Sequence, residues 1–392
     1  MNLTDKNFIE SNLGFLILLT IAVVYLSACT PESSESNSRK SAKALNSGSS
    51  SEDKKEKKNK NDDLIEEDDL DSTDSFNKDL NKTLVVFADS IGEGTFSHTN
   101  LTKPVQSMVS MNQVWARSYI SNPRSTLLSM QMFLGTGDKL PDRKERKEAF
   151  TTINSPSIVG YSCDESWCVP ALLNQNGAGI SEVINMSLAG DRTTDTASQI
   201  KEYDAKYKSK KADMVLYALG HNDMCSVDPS GSQTIAKLKQ DYRKALLAVT
   251  DRFPKAAYLI MLPASIANLH QVGEDVVHNM IGLKATLLSL GGDVSTIPDE
   301  MNCPELREQI CPITARVTQS ELNSLMDDYY SAIKEVIAEV KEDHPGIYIA
   351  LDSKSAKFDE SHLAVDCFHP SKAGQSFIAK TIGLNYSKNK PD

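Results

Sequence analysis

The sequence predicts an α/β fold in which one parallel sheet is covered by helices on both faces. Five short, uniformly apolar segments predict buried strands, and helical patterns separate the later ones. Uniformly apolar strands are typical of a parallel sheet buried on both faces, since strands with one wet face alternate apolar and polar residues. Each of the first three segments is followed by a polar, glycine-containing turn, and ligands bind beyond the carboxyl ends of such strands.

The predicted strands are followed in order along the chain, and one long helix precedes the last of them. Thr318 and Glu321 have the spacing of a capping box, and apolar residues follow at helical intervals as far as Val340. Residues 91–179 and 264–317 are too long for simple loops, so we expect two insertions there that select the substrate. The strands are Leu84–Ala88, Val183–Met186, Met214–Leu219, Ala257–Leu262 and Ile347–Leu351.

The N-terminal part predicts export rather than fold. Residues 13–28 are almost continuously apolar, which is shorter than the roughly 20 residues of a membrane span and typical of a signal peptide. The segment ends in Leu26-Ser27-Ala28-Cys29, which resembles the lipobox of bacterial lipoproteins. That resemblance implies that residues 1–28 are removed and that Cys29 is lipidated, leaving the protein on the periplasmic or cell-surface side of a membrane. An uncleaved membrane anchor is the alternative, and it also exports the chain.

Residues 29–81 predict a disordered, charged tether, because they contain almost no apolar side chains to bury. One folded domain is then expected over residues 82–388. The net charge of −11 argues against a nucleic-acid partner, whose phosphates require a basic surface.

Five residues at the predicted strand ends and near the C-terminus can together perform acyl transfer. Ser90 follows the first strand, and a serine becomes a nucleophile when a base removes its proton and a third group orients that base. His369 can be the base, and Asp366, three residues earlier, can orient it. The backbone N–H groups of Ser90 and Gly190 and the side-chain amide of Asn222 can then form an oxyanion hole.

These residues stand in four segments that resemble the blocks of the SGNH (GDSL-like) hydrolase family, namely FADSIGEG, NMSLAGD, GHND and DCFHPS. The resemblance covers about residues 83 to 385 and is strongest to the phospholipase B-like branch, in which a cysteine also follows the third block. It implies a flavodoxin-like three-layer α/β/α sandwich with a five-stranded parallel sheet, and ester hydrolysis without a metal or other cofactor. Block one has Ala88 where the family usually has glycine, so its methyl group would strain the turn if the position took a positive φ.

The resemblance and the membrane tether together favour phospholipid or lysophospholipid acyl esters as substrates. Deacetylation of an envelope or extracellular polysaccharide is the alternative reaction on the same fold. An inactive scaffold that serves as a surface binding protein is a third reading, but no member of the triad is missing from the sequence.

Six cysteines remain after Cys29, and an even number in an exported protein predicts disulfides. We expect two local pairs, which leaves two cysteines near the proposed active site to form the third. A zinc site is the rival expectation, but the sequence has no CxxC and no histidine close to Cys163 or Cys303. The predicted pairs are Cys163–Cys168, Cys303–Cys311 and Cys225–Cys367.

The remaining histidines have less definite roles. His221 lies inside the third block, where it either contacts substrate or fills a variable position. The others have no acidic partner at a telling spacing, and we expect surface or packing roles for His98, His270, His278, His344 and His362.

Overall fold

The structure is a computed structural model. Among the residues it describes, no helix combines the length and the apolar character needed to cross a membrane. The predicted signal peptide, Cys29 and all but the last residue of the predicted tether lie outside these residues. The described residues are 81–94, 97, 99, 101–103, 106–107, 142–147, 168–228, 234–289, 293–354 and 356–389.

The sheet has five parallel strands in the order β2-β1-β3-β4-β7, so the predicted fold class is confirmed. All five predicted segments are strands, and β2 begins three residues earlier than the sequence pattern indicated. A separate two-stranded antiparallel ladder, β5–β6, lies in the second insertion. The strands are β1 Lys82–Ala88, β2 Ile180–Asn185, β3 Met214–Ala218, β4 Ala257–Met261, β5 Val277–Asn279, β6 Glu300–Asn302 and β7 Ile347–Leu351.

Eleven α-helices are bounded within the described residues, and residues 143–147 are also helical. In chain order they are α1 Ser90–Glu93, α2 Val169–Gln175, α3 Thr196–Tyr207, α4 His221–Cys225, α5 Ile235–Arg252, α6 Ile266–Leu269, α7 Ile281–Ser289, α8 Cys303–Ile310, α9 Ile313–Arg316, α10 Gln319–Asp343 and α11 Lys372–Asn389.

Helices cover both faces of the sheet, which produces three layers. Alternate residues of β1 point to opposite faces, so Val85 and Phe87 pack with α3, α5 and α10 while Leu84 and Val86 pack with α2 and α11. These four side chains are fully buried, and each contributes roughly 1.5–3 kcal/mol through removal of apolar surface from water. The predicted capping box starts α10, where Thr318 N donates to Glu321 Oε2 at 2.7 Å and Thr318 Oγ1 accepts from Glu321 N.

The second insertion contains α6 to α9 with β5 and β6, and it has an apolar cluster of its own. Met280, Leu283 and Leu287 pack there with Val365 and Cys367 from the segment before α11. The insertion therefore supports the chain segment that carries Asp366 and His369.

Two of the three predicted disulfide pairings are wrong. The observed bonds are Cys225–Cys311 and Cys303–Cys367. Cys303 begins α8 and Cys311 follows its last residue, so the length of the helix holds them about 12 Å apart, beyond the roughly 7 Å Cα separation that a disulfide spans. Cys168 is disulfide-bonded, and its predicted partner Cys163 lies outside the described residues.

The carboxyl end of β1 lies where the strand order of the sheet reverses, at the topological switch point. Chain connections run from β1 to β2 on one side and onward to β3 on the other, which leaves a crevice beyond β1. Ser90 follows β1 directly and therefore lies at this crevice.

Candidate active site

Ser90, His369 and Asp366 form one hydrogen-bonded chain, although Ser90 and His369 are 279 residues apart. Ser90 Oγ lies 2.7 Å from His369 Nε2, and His369 Nδ1 is hydrogen-bonded to Asp366 Oδ2. An ionised carboxylate only accepts hydrogen bonds, so Nδ1 carries the proton and Nε2 is left to accept from Ser90. This is the tautomer that a general base requires.

The backbone around Asp366 folds the carboxylate back onto His369. Asp366 Oδ1 accepts from the N–H groups of Phe368 and His369 at 3.1 and 3.0 Å. Cys367 takes a φ of 61°, a left-handed conformation that costs a non-glycine residue on the order of 1–3 kcal/mol. Arg307 Nε donates to the carbonyl of Cys367 at 2.9 Å, and the Cys303–Cys367 bond fixes the same residue. Neighbouring elements thus hold the strained turn in place.

The environment of Asp366 keeps its carboxyl ionised. Burial alone would raise the pKa of Asp366, but the facing His369 and the hydrogen bonds from His369 and Phe368 bring that pKa below its ordinary value. The carboxylate can therefore balance a positive charge that forms on His369.

Three candidate oxyanion donors stand in the segments that follow β1, β2 and β3. The Ser90 N–H, at the start of α1, has no acceptor among the described residues. In the turn 189–191, Ala189 N donates to Glu93 and Asp191 N to Leu188, whereas the Gly190 N–H has no acceptor in the same set. Gly190 takes a φ of 78°, which a residue with a Cβ rarely adopts.

Asn222 supplies the third donor. Its Nδ2 donates to the carbonyl of Asp191 at 2.9 Å, which orients the side chain and leaves the second amide hydrogen available. Gly190 and Asn222 are both partly exposed to solvent, so a substrate carbonyl can reach them.

A second aspartate–histidine contact links the segments on either side of the site. Asp89 Oδ1 accepts from Ile91 N at 3.0 Å, and Asp89 Oδ2 lies 3.1 Å from His221 Nδ1. His221 is buried and precedes Asn222. The contact therefore joins the residue before Ser90 to the residue before Asn222. Ala88, where a glycine was expected, ends β1 without a positive φ. Its methyl group therefore causes no backbone strain.

Two buried carboxyl groups lie behind the oxyanion donors. Burial raises the pKa of Asp191, while Arg143, Arg146 and a hydrogen bond from Gln199 oppose that rise. Burial also raises the pKa of Asp223 to about 6, and two hydrogen bonds from Thr193 oppose it.

His278 lies beside the Cys303–Cys367 disulfide, a position that no pattern in the sequence indicates. Its Nε2 is 3.2 Å from Cys367 Sγ and 3.8 Å from Cys303 Sγ. These three groups have metal-ligand chemistry and lie within 4.8 Å of one another. The two sulfurs are bonded to each other, so neither is a thiolate ligand. The expectation of a packing role for His278 agrees with its burial.

Burial of His278 makes stability depend on pH. It lowers the pKa of His278 to about 4, so between pH 6.5 and 4 the unfolded chain binds a proton that the folded chain does not. Stability is then lost as the pH falls through this window, by about 2 kcal/mol between pH 7.5 and 4.5 for this group. Urea unfolding at these two pH values should show that His278→Leu removes this loss, whereas His344→Leu retains it. An equal loss in wild type and His278→Leu would contradict the assignment.

Ser90, His369 and Asp366 lie in one hydrogen-bonded chain, and Asn222 bonds the residue that follows Gly190. Several side chains that support these residues have no signal in the sequence. In the sequence, Arg143 and Arg146 are recognisable only as residues of the first insertion, 91–179. Gln199 Nε2 bonds both Ala88 O and Asp191, and nothing in its sequence context signalled that role. His362 does have an acidic partner, since Asp359 lies 3.2 Å away. Asp359 is exposed, and the serine beside this pair, Ser361, donates its hydroxyl to Asp359 Oδ1 at 2.6 Å.

Comparison with known proteins found a family model and solved structures that are similar to this chain. A family model described as GDSL-like lipase/acylhydrolase matches residues 84–382. A crystal structure described as a GDSL-like lipase from Parabacteroides merdae ATCC 43184 is similar at 10% sequence identity and a TM-score of 0.39, covering 79% of this chain and 98% of that one. No curated protein matches the chain.

Proposed function

The chain belongs to the GDSL-like lipase/acylhydrolase family, and we propose that it hydrolyses carboxylic esters by acyl transfer to Ser90. Family membership makes the protein a hydrolase of ester bonds in general. Beyond this, we propose which residues perform the hydrolysis and which class of ester is hydrolysed. The observation that carries it is the hydrogen-bonded chain from Ser90 through His369 to Asp366. The N–H groups of Ser90 and Gly190, which have no acceptor in the described part of the chain, support it.

The reaction has two steps. His369 Nε2 takes the Ser90 proton while Oγ attacks the ester carbonyl, and Asp366 balances the imidazolium that forms. The Ser90 and Gly190 N–H groups and the Asn222 amide stabilise the oxyanion. His369 then gives its proton to the leaving alcohol. In the second step His369 activates a water molecule, which releases the acid and restores Ser90.

For the substrate we propose the acyl esters of phospholipids or lysophospholipids. The predicted lipid anchor at Cys29 would hold the enzyme at a membrane, where such esters are concentrated. The second insertion supports the same class, because Val277, Ile281 and Leu288 are more than half exposed there. Large apolar side chains with that exposure are uncommon in the described part of this protein, and these three lie within 12 residues of one another.

The position of α7 relates this apolar surface to the active site. Leu283 and Leu287 on its inner side pack into the apolar cluster that contains Val365 and Cys367. The helix therefore stands beside the segment that carries Asp366, and its outer side can meet the lipid from which the ester is drawn.

A substrate panel tests the proposed class. The full chain is assayed on p-nitrophenyl acetate, a long-chain p-nitrophenyl ester, lysophosphatidylcholine and an acetylated polysaccharide, with Ser90→Ala as the blank. We expect turnover of the long-chain ester and of lysophosphatidylcholine. Activity confined to the acetylated substrates would replace the lipid proposal with deacetylation, and no activity on any ester would favour the binding-protein reading.

Substitution on the outer side of α7 should separate lipid binding from chemistry. Leu288→Ser is expected to lower the rate on lysophosphatidylcholine micelles by about 5- to 10-fold, because one buried leucine contributes roughly 1.5–3 kcal/mol at most. The rate on p-nitrophenyl acetate should stay unchanged. Leu384→Ser is the matched control, because Leu384 is 61% exposed on α11 and Leu288 is 62% exposed. Equal losses in the two variants would remove α7 from lipid binding.

A further inference from the structure

Arg146 lies against the turn that carries the oxyanion donor Gly190. It belongs to the helical residues 143–147, in the first insertion, and is buried. Its Nη1 donates to the carbonyl of Ala189 and lies 2.9 Å from Asp191 Oδ1. One guanidinium group therefore contacts the residue before Gly190 and the residue after it.

The Nη1 nitrogen of Arg146 contacts two different acceptors at once. A carbonyl and a carboxylate lie on the same side of the turn, and the planar guanidinium presents several N–H donors in a fixed arrangement. Asp191 is fully buried, and a buried carboxylate needs a compensating charge. Arg143 Nε also reaches Asp191 Oδ2, at 3.1 Å.

Asp191 connects this contact to the second oxyanion donor. Its carbonyl accepts from Asn222 Nδ2 at 2.9 Å, so the position of Asp191 sets the direction of the Asn222 amide. A movement of the turn 189–191 would displace the Gly190 N–H and the Asn222 amide together.

We propose that Arg146 is a positioning residue for the oxyanion hole. It holds the turn 189–191 so that the Gly190 N–H and the Asn222 amide point at one place beside Ser90 Oγ. The inference rests on the proposed acyl transfer through Ser90. It assigns the first insertion a part in the chemistry, in addition to the substrate selection expected from its length.

A double-mutant cycle tests the coupling between Arg146 and the oxyanion hole. The full chain is compared as wild type, Arg146→Ala, Asn222→Ala and the double variant, with p-nitrophenyl acetate as substrate. The concentration of reactive serine is titrated with a fluorophosphonate, so that misfolded molecules are not counted. Arg146→Ala should lower kcat by about 10- to 100-fold with KM within about threefold, because it displaces donors whose loss costs about 10²–10³ each.

The double variant carries the decisive result. If Arg146 acts through Asn222 and Gly190, the loss in the double variant is smaller than the product of the two single losses. Arg146→Lys should recover part of kcat, since a lysine keeps the positive charge that faces Asp191 and has a nitrogen that can donate to the same acceptors. Arg243→Ala is the control. Arg243 lies on α5, where its side chain forms an exposed ion pair with Glu339 of α10, so its loss should leave kcat unchanged.

Two results would overturn the inference. One is a wild-type kcat in Arg146→Ala, and the other is a double-variant loss equal to the product of the single losses. The proposed function fails in a different way, through a Ser90→Ala protein that stays as active as the wild type. Inactive Ser90→Ala together with fully active Arg146→Ala would reject only the role of Arg146.

Discussion

Ser90→Ala should lower kcat for ester hydrolysis by about 10⁵- to 10⁶-fold, the loss expected when a serine hydrolase loses its nucleophile. The substitution removes only Oγ. The two N–H groups and Asn222 remain, so residual hydrolysis above the rate in water is expected from the oxyanion hole and binding alone. The measurement is the initial rate on p-nitrophenyl acetate, with stability checked by thermal unfolding.

The control for this substitution is Ser331→Ala. Ser331 is an exposed serine on α10 whose hydroxyl donates to a carbonyl of its own helix, so its loss should leave kcat within about twofold of the wild type. If Ser90→Ala kept the activity of Ser331→Ala, then Ser90 would not be the nucleophile and the proposed mechanism would be rejected.

Asp366→Asn should lower kcat by about 10³- to 10⁴-fold while the protein stays folded. The amide oxygen of asparagine can still accept from the N–H groups of Phe368 and His369, so the turn is preserved. Its NH₂ group then faces His369 Nδ1, which must become an acceptor, and the ring proton moves to Nε2. An imidazole in that tautomer cannot accept the Ser90 proton. The pH–rate profile and kcat are the measurements.

The chain provides a close control for this second substitution. Asp359 stands three residues before His362, contacts its ring and accepts from its backbone N–H, as Asp366 does with His369. Asp359 is exposed, and the hydroxyl of the neighbouring Ser361 donates to its Oδ1 at 2.6 Å. The Asp359–His362 pair is not part of the hydrogen-bonded chain of Ser90, His369 and Asp366. Asp359→Asn should therefore leave kcat unchanged, and a comparable loss in both variants would show that the effect in Asp366→Asn is structural.

The sequence was sufficient for the centre of the sheet because β1, β3 and β4 are buried almost throughout. Segments such as Leu84–Ala88 and Met214–Leu219 have no polar position that could face solvent, so their apolar runs coincide with β1 and β3 almost residue for residue. The residues of the candidate site could be picked out for a related reason. Each follows a strand or precedes the last helix, and the chemistry of acyl transfer limits which residue types can serve there.

The disulfide partners could not be predicted because two cysteines that are close in sequence can be far apart in space when a helix separates them. Cys303 and Cys311 are close in sequence, but α8 separates them in space and turns each toward a different partner. The role of Arg146 was hidden for a similar reason, since its acceptors at Ala189 and Asp191 lie 43 and 45 residues away in the chain and its neighbours in sequence are charged surface types. Contacts across such distances depend on the fold of the insertions, which no periodicity reveals.

Helix α8 has a consequence for how this protein can be recombined with its relatives. Cys303, the first residue of α8, is bonded to Cys367 in the turn that carries Asp366 and His369. Cys311, the residue after the last one of α8, is bonded to Cys225 at the end of α4, the helix that contains Asn222. An exchange of the second insertion would cut both links and remove the Arg307 contact to Cys367. The second insertion therefore cannot be exchanged by itself to alter substrate specificity. A chimera must inherit Cys225 and Cys367 together with the transplanted helix, so these positions are expected to change as a set during evolution.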